Sequence, residues 1–130
     1  LPVRPQHEGA LRQEPRGMKT IAIWLFMLLI ISLYPEKRTF MVYGADKALH
    51  FMLYAITCAL LFVVIRERIR GQFWKALVLS VVLASAYGLV MEVMQGVTKL
   101  RDFSLMDALA NSLGAVATAA FLVVKRRKGG

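Results

Sequence analysis

Residues 73–96 read FWKALVLSVVLASAYGLVMEVMQG. Between Lys75 and Glu92 there is no charged side chain. A helix over such a stretch reaches about 36 Å at about 1.5 Å per residue, enough to cross a bilayer hydrocarbon core of about 30 Å. The run then places a carboxylate, Glu92, about one turn inside its far end. An acid at mid-helix costs about 2.5–3.5 kcal/mol on insertion scales, less toward the interface. Glu92 is therefore a candidate functional group, expected close enough to the membrane surface for water to soften its cost. Ser85, Gly88, Glu92 and Gln95 recur at +3, +4, +3 and form one helical stripe.

The rest of the chain fits a membrane setting. Of 130 residues, 58% are hydrophobic, against about 45–50% apolar in soluble domains, and the mean hydropathy is +0.55. The net charge of +9 does not require a nucleic-acid partner, because membrane proteins concentrate Lys and Arg on their cytoplasmic side. Cys58 is the single cysteine, so no intrachain disulfide forms.

Three further apolar spans flank the first one considered. They run from about Met18 to Tyr34, from Lys47 to Ile65 and from Leu105 to Val124, giving an all-α bundle of four transmembrane helices with short loops. The 17 Lys and Arg residues divide twelve against five across these spans. Both termini are accordingly expected in the cytoplasm, with the 35–46 and 97–104 loops outside. Residues 1–17, rich in proline and charge, predict a disordered tail or a start-site artefact ahead of a domain spanning 18–128. "SLYPEK" after the first span lacks a small-x-small cleavage site, which favours an uncleaved anchor.

With this topology, polar residues converge at one depth. Asp46, Lys47 and His50 open the second span, Glu92 and Gln95 close the third, and Asp107 and Asn111 open the fourth, just after Arg101 and Ser104. Asp46, His50 and Tyr54 share one face, as do Asp107, Asn111, Gly114 and Thr118. Small residues such as Gly88 and Gly114 allow close helix approach. Plainer roles exist for several of these residues. Asp46 suits a helix N-terminus, Ser104 with Asp107 fits a capping pattern, Lys47 suits snorkelling, and Asn111 suits interhelical bonding.

The ordered set DKALHFMLYA (46–55), YGLVMEVMQ (87–95) and RDFSLMDALANSLG (101–114) resembles the VanZ-like family of bacterial membrane proteins. The family motif falls on Asp46, Lys47, His50, Tyr54, Tyr87, Gly88, Glu92, Gln95, Arg101, Ser104, Asp107, Ala110, Asn111 and Gly114. This chain has Lys99-Leu100 where many members carry a Pro- or Gly-containing turn, which bears on the outer loop's shape. The resemblance implies a multi-pass protein of the bacterial cytoplasmic membrane and a connection to teicoplanin tolerance. It does not supply a reaction.

Three functions are open from the residues, the least supported being a proton- or ion-coupled transporter, which four short spans disfavour in a monomer. The first is an outward-facing pocket that binds or acts on an anionic lipid or envelope-precursor headgroup, such as a phospholipid or polyprenyl phosphate. Arg101 and Lys47 would hold phosphate, with Asp46, Gln95, Ser104 and Asn111 as further binding residues. Glu92, His50 and Asp107 are the acid–base candidates. The second is a non-enzymatic module whose polar cluster locks the helices, with Lys47 or Arg101 pairing Glu92 or Asp107. A nucleophile elbow, a Walker motif and a zinc motif are absent from the sequence. With His50 the only histidine outside the tail, a multi-histidine metal site is excluded, and no cofactor, resident metal or nucleic-acid partner is expected.

Overall fold

The computed structural model describes residues 16–34 and 44–130. They form four helices: α1 (Arg16–Leu33), α2 (Ala45–Arg68), α3 (Phe73–Thr98) and α4 (Leu105–Lys128). No strand occurs among the described residues. The all-α bundle expected from the apolar spans is therefore the observed architecture. Expectations for residues 1–15 and for most of the 35–46 loop lie outside the described residues. Arg16 and Gly17, assigned above to the tail, begin α1.

Three helices, α2 to α4, are long and apolar enough to cross a membrane. The apolar part of α1, Gly17–Leu33, is shorter. At about 1.5 Å per residue, its 18-residue helix spans about 27 Å, slightly under the hydrocarbon thickness. Charged ends extend the others beyond their apolar spans: α2 ends on Arg66 and Arg68, and α4 on Lys125 to Lys128.

The burial pattern is inverted relative to a soluble protein. Among fully buried side chains, the larger ones include Gln95, Glu92, Asn111, Thr57 and Asp107. Val78, Val82, Leu89, Leu113, Val116 and Phe121 face outward and are exposed. In water those aliphatic faces would be costly. In lipid they are the cheap surface, and the polar groups must find partners within the bundle.

α2 and α4 share the most extensive interface, and α3 closes the bundle against both. The α2–α4 crossing is close because Gly114 lies on the Phe51 carbonyl, where a Cβ would collide with backbone. One turn on, Thr118 Oγ1 donates to the Ala55 carbonyl at 2.9 Å. A separate apolar layer of Phe62, Phe73, Ala76 and Leu77 fills the end away from the acids. There Arg126 lies 4.3 Å over the Phe73 ring.

α1 packs on the outside of α2 and α3. Polar contacts fix it at three levels. Trp24 Nε1 donates to Thr57 Oγ1 at 2.9 Å, Tyr87 OH to the Leu25 carbonyl at 2.6 Å, and Gln95 Nε2 to the Ser32 carbonyl at 2.7 Å. Interhelical bonds in membranes are worth about 0.6 kcal/mol on average, with a maximum of about 1.7. Tyr87→Phe should loosen α1 by that amount. Cysteine crosslinking between α1 and α3 should show a slower rate, with the α2–α4 crosslink unchanged.

Candidate functional site

The site occupies the end of the bundle where α2 begins, α3 ends and α4 begins. Ser104 caps α4 by accepting a hydrogen bond from the Asp107 backbone N–H at 3.2 Å, as its capping pattern predicts. That cap turns the Asp107 side chain inward, where it is 2% exposed. Gly44, at φ 94°, starts α2 without a side-chain cap. Asp46 in the first turn is thus free of capping and reaches the α3–α4 loop instead.

Arg101, on that loop, donates from Nη2 to Asp46 Oδ2 at 2.7 Å, and the same nitrogen lies 3.5 Å from Asp107 Oδ2. Lys47 Nζ is 3.6 Å from Asp107 Oδ1. His50 stands at the centre. Its Nδ1 is 3.0 Å from Asn111 Oδ1 and 3.7 Å from Glu92 Oε1. On the other edge, Nε2 is 3.7 Å from Asp46 Oδ1 and 3.8 Å from Asp107 Oδ2. Eight of the nine site residues proposed from sequence converge here: Asp46, Lys47, His50, Glu92, Arg101, Ser104, Asp107 and Asn111.

The arrangement differs from the sequence reading in three respects. Gln95 turns to α1 through Ser32 rather than to the acids. Glu92 stands against His50, while the close ion pairs of Lys47 and Arg101 run to Asp46 and Asp107. Glu92 is also only 1% exposed, so bulk water does not soften its burial. One turn away the helices also pack tightly at Gly88, where a Cβ would meet Asn111 and Tyr54 at 2.9 Å.

In the sequence Lys99 stands out only as a topology charge and as part of the Lys99-Leu100 pair in the outer loop. It ends α3 at φ 54°, a left-handed C-cap position usually given to Gly or Asn. Its conformation shapes an open groove of about 520 Å³ lined by Val93, Val97, Lys99, Arg101, Asp102 and Phe103. The groove is amphiphilic, with two cations and one carboxylate at one part and exposed aliphatic and aromatic surface at the other. Arg101 belongs both to this groove and to the acid cluster. The Lys99-Leu100 pair marks the outer loop in the sequence, but the backbone angle of Lys99 is not legible from residue type.

Within the cluster, ligand atoms of Asp46, His50 and Asp107 lie within 4.8 Å of one another, close enough to share a cation.

The motif residues of α2, α3 and α4 thus form one constellation, and the family model described as VanZ/LLP1 matches residues 7–126. The chain belongs to the VanZ/LLP1 family. The match covers nearly the whole chain and begins inside the 1–17 segment. No curated protein and no solved structure matches the chain. Family membership and the three long apolar helices together make it a VanZ-like membrane protein.

Proposed function

We propose that this VanZ-like protein binds the phosphate-bearing headgroup of an anionic lipid or envelope precursor at the Arg101 end of the bundle. One observation carries the reading. Arg101 lines an amphiphilic groove with Lys99 and, from the same guanidinium, contacts Asp46 and Asp107. An arginine fork matches phosphate oxygens. Val93, Val97 and Phe103 offer the adjoining chain an apolar surface at the same place. His50, between Glu92 and Asp107, would take or give a proton next to the bound group.

The polarity of Lys and Arg supports an outward-facing site with both termini in the cytoplasm. Reporters fused after Gly71 and Gly130 should read cytoplasmic. An external Gly130 would put the groove on the cytoplasmic side and overturn the envelope-precursor form of the proposal. Lipidomics of cells with and without the protein should show a change in one anionic headgroup or in polyprenyl phosphate. Tolerance to teicoplanin would follow through such a change at the outer surface. Identical lipid profiles combined with unchanged tolerance would count against the reading.

A structural lock is the second reading. It is favoured by the pairing of Lys47 and Arg101 with Asp46 and Asp107, which alone would tie α2 to α4.

A further inference from the structure

We infer that Arg66 and Arg126 form a seat for the phosphate of an anionic lipid, at the end of the bundle opposite the acid cluster. One ring organises it. Phe73 opens α3 and is buried. Arg126, near the end of α4, lies 4.3 Å from the ring centroid, and Arg66, near the end of α2, lies 5.9 Å from it. Phe62 and Trp74 widen the aromatic shelf, the first 5.8 Å from Arg66 and the second 5.8 Å from Arg126. Two guanidiniums from different helices are thus gathered at one place, although their charges repel.

Neither has a counter-charge. Among the described residues, no carboxylate lies in ion-pair range of Arg66 or Arg126, and no acceptor takes a hydrogen bond from either. Glu67 is the one acid at this end among the described residues. At the other end, by contrast, Lys47 and Arg101 lie against aspartates. A ring contacts the flat face of a guanidinium and leaves its N–H edge open. Both arginines are exposed, so those edges are oriented and accessible to an acceptor from outside the chain.

Charge and surroundings name the occupant. Arg68, Arg70, Lys75, Lys125, Arg127 and Lys128 share this end of the bundle. Basic clusters of this kind beside a membrane span bind anionic headgroups. The adjoining surface is apolar. Trp74 is 57% exposed, and Val78, one turn on along the same face of α3, is 60% exposed. A free anion would use the arginines alone, whereas a lipid uses the arginines for its phosphate and this face for its acyl chains.

Snorkelling accounts for Arg127 and Lys128 at the helix end, but not for two guanidiniums held against one ring. A phosphate taken by both forks would tie the ends of α2 and α4 to the start of α3. With the topology proposed above, this end faces the cytoplasmic leaflet. The seat therefore goes beyond the headgroup proposal, which concerns the opposite leaflet, and shares no residue with it.

The test follows Trp74 in vesicles. The chain holds two tryptophans, so Trp24→Phe in the full chain leaves Trp74 as the reporter. It is reconstituted in phosphatidylcholine with rising fractions of phosphatidylglycerol, one lipid at a time carrying bromine on its acyl chains. Brominated phosphatidylglycerol should quench Trp74 with an affinity about fivefold above that of brominated phosphatidylcholine. Arg66→Gln and Arg126→Gln should each lower that ratio at least twofold. Arg127→Gln removes the same charge from an exposed position off the ring and should not. Inorganic phosphate, against chloride at equal ionic strength, should leave the ratio unchanged. Equal quenching by the two lipids, equal loss in Arg126→Gln and Arg127→Gln, or displacement by inorganic phosphate would overturn the seat. If the Trp24→Phe chain fails to insert, wild type decides by phenylglyoxal modification. Phosphatidylglycerol vesicles should slow modification of Arg66 and Arg126 at least twofold more than that of Arg127, and equal slowing would overturn the seat as well. Trp74 stands at the far end from Arg101, so failure here leaves the headgroup proposal untouched, and loss of lipid binding at Arg101 leaves the seat standing.

Discussion

Gly114→Leu is expected to remove the folded bundle from the membrane. Even one added carbon at Gly114 collides with the Phe51 carbonyl and comes within 3.1 Å of the Ala55 amide nitrogen. These are backbone atoms of α2, so no rotamer change relieves the clash. Overpacking a well-packed core costs about 1–3 kcal/mol, and more where the backbone must move. The α2–α4 contact is the largest in the bundle and brings Asp46 and His50 to Asp107 and Asn111. Separating it therefore dismantles fold and site together. Membrane abundance should fall at least fivefold for Gly114→Leu and by less for Gly114→Ala. Leu113→Ala, on the exposed neighbouring face, should stay near wild type. Equal abundance for Gly114→Leu and Leu113→Ala would mean that the crossing is not held at Gly114.

Glu92→Gln is expected to leave abundance normal and abolish function. Its Oε1 faces His50 Nδ1 at 3.7 Å, and its Oε2 has no hydrogen-bond partner. A glutamine keeps an oxygen toward His50 and removes a buried charge, so no cation is stranded and insertion becomes cheaper. What is lost is the proton acceptor beside His50. The lock reading predicts otherwise. If Glu92 holds His50 as an imidazolium, the variant strands that charge at a cost of about 3–5 kcal/mol. Abundance should then drop, and His50→Gln added to Glu92→Gln should restore it. Immunoblots of membrane fractions beside the lipid profile separate the two. Normal abundance with full function would contradict both.

Much of this was legible in the sequence because periodicity and depth are linear properties of a helix. The stripes through Asp46, His50 and Tyr54, through Gly88 and Glu92, and through Asp107, Asn111 and Gly114 needed only about 100° per residue and alternating direction. Pairing within the cluster was not legible. Which acid meets Arg101 depends on helix rotation and on ångström-scale offsets, and so the sequence left Glu92 and Asp107 as alternative partners of Lys47 and Arg101, of which Asp107 is in ion-pair range, and it did not pair Asp46 with Arg101. Gln95 was misplaced for a related reason. It shares the Glu92 stripe, but α1 packs at the edge of that stripe, and the Ser32 carbonyl captures the amide. Where α1 docks cannot be read from its own largely apolar residues, which show no clear polar stripe. The left-handed Lys99 was hidden because lysine rarely adopts that conformation.

The central claim, headgroup phosphate held through Arg101, is tested most directly by lipid binding to the purified protein. Native mass spectrometry would compare dioctanoyl phosphatidylglycerol and a short polyprenyl phosphate with dioctanoylglycerol, which lacks phosphate. Wild type should bind at least one of the phosphate lipids tenfold or more tightly than dioctanoylglycerol, a difference of about 1.4 kcal/mol. Arg101→Gln should erase that preference, and Lys99→Gln should reduce it. Equal binding of all three lipids by wild type, or a preference that survives Arg101→Gln, would contradict the account.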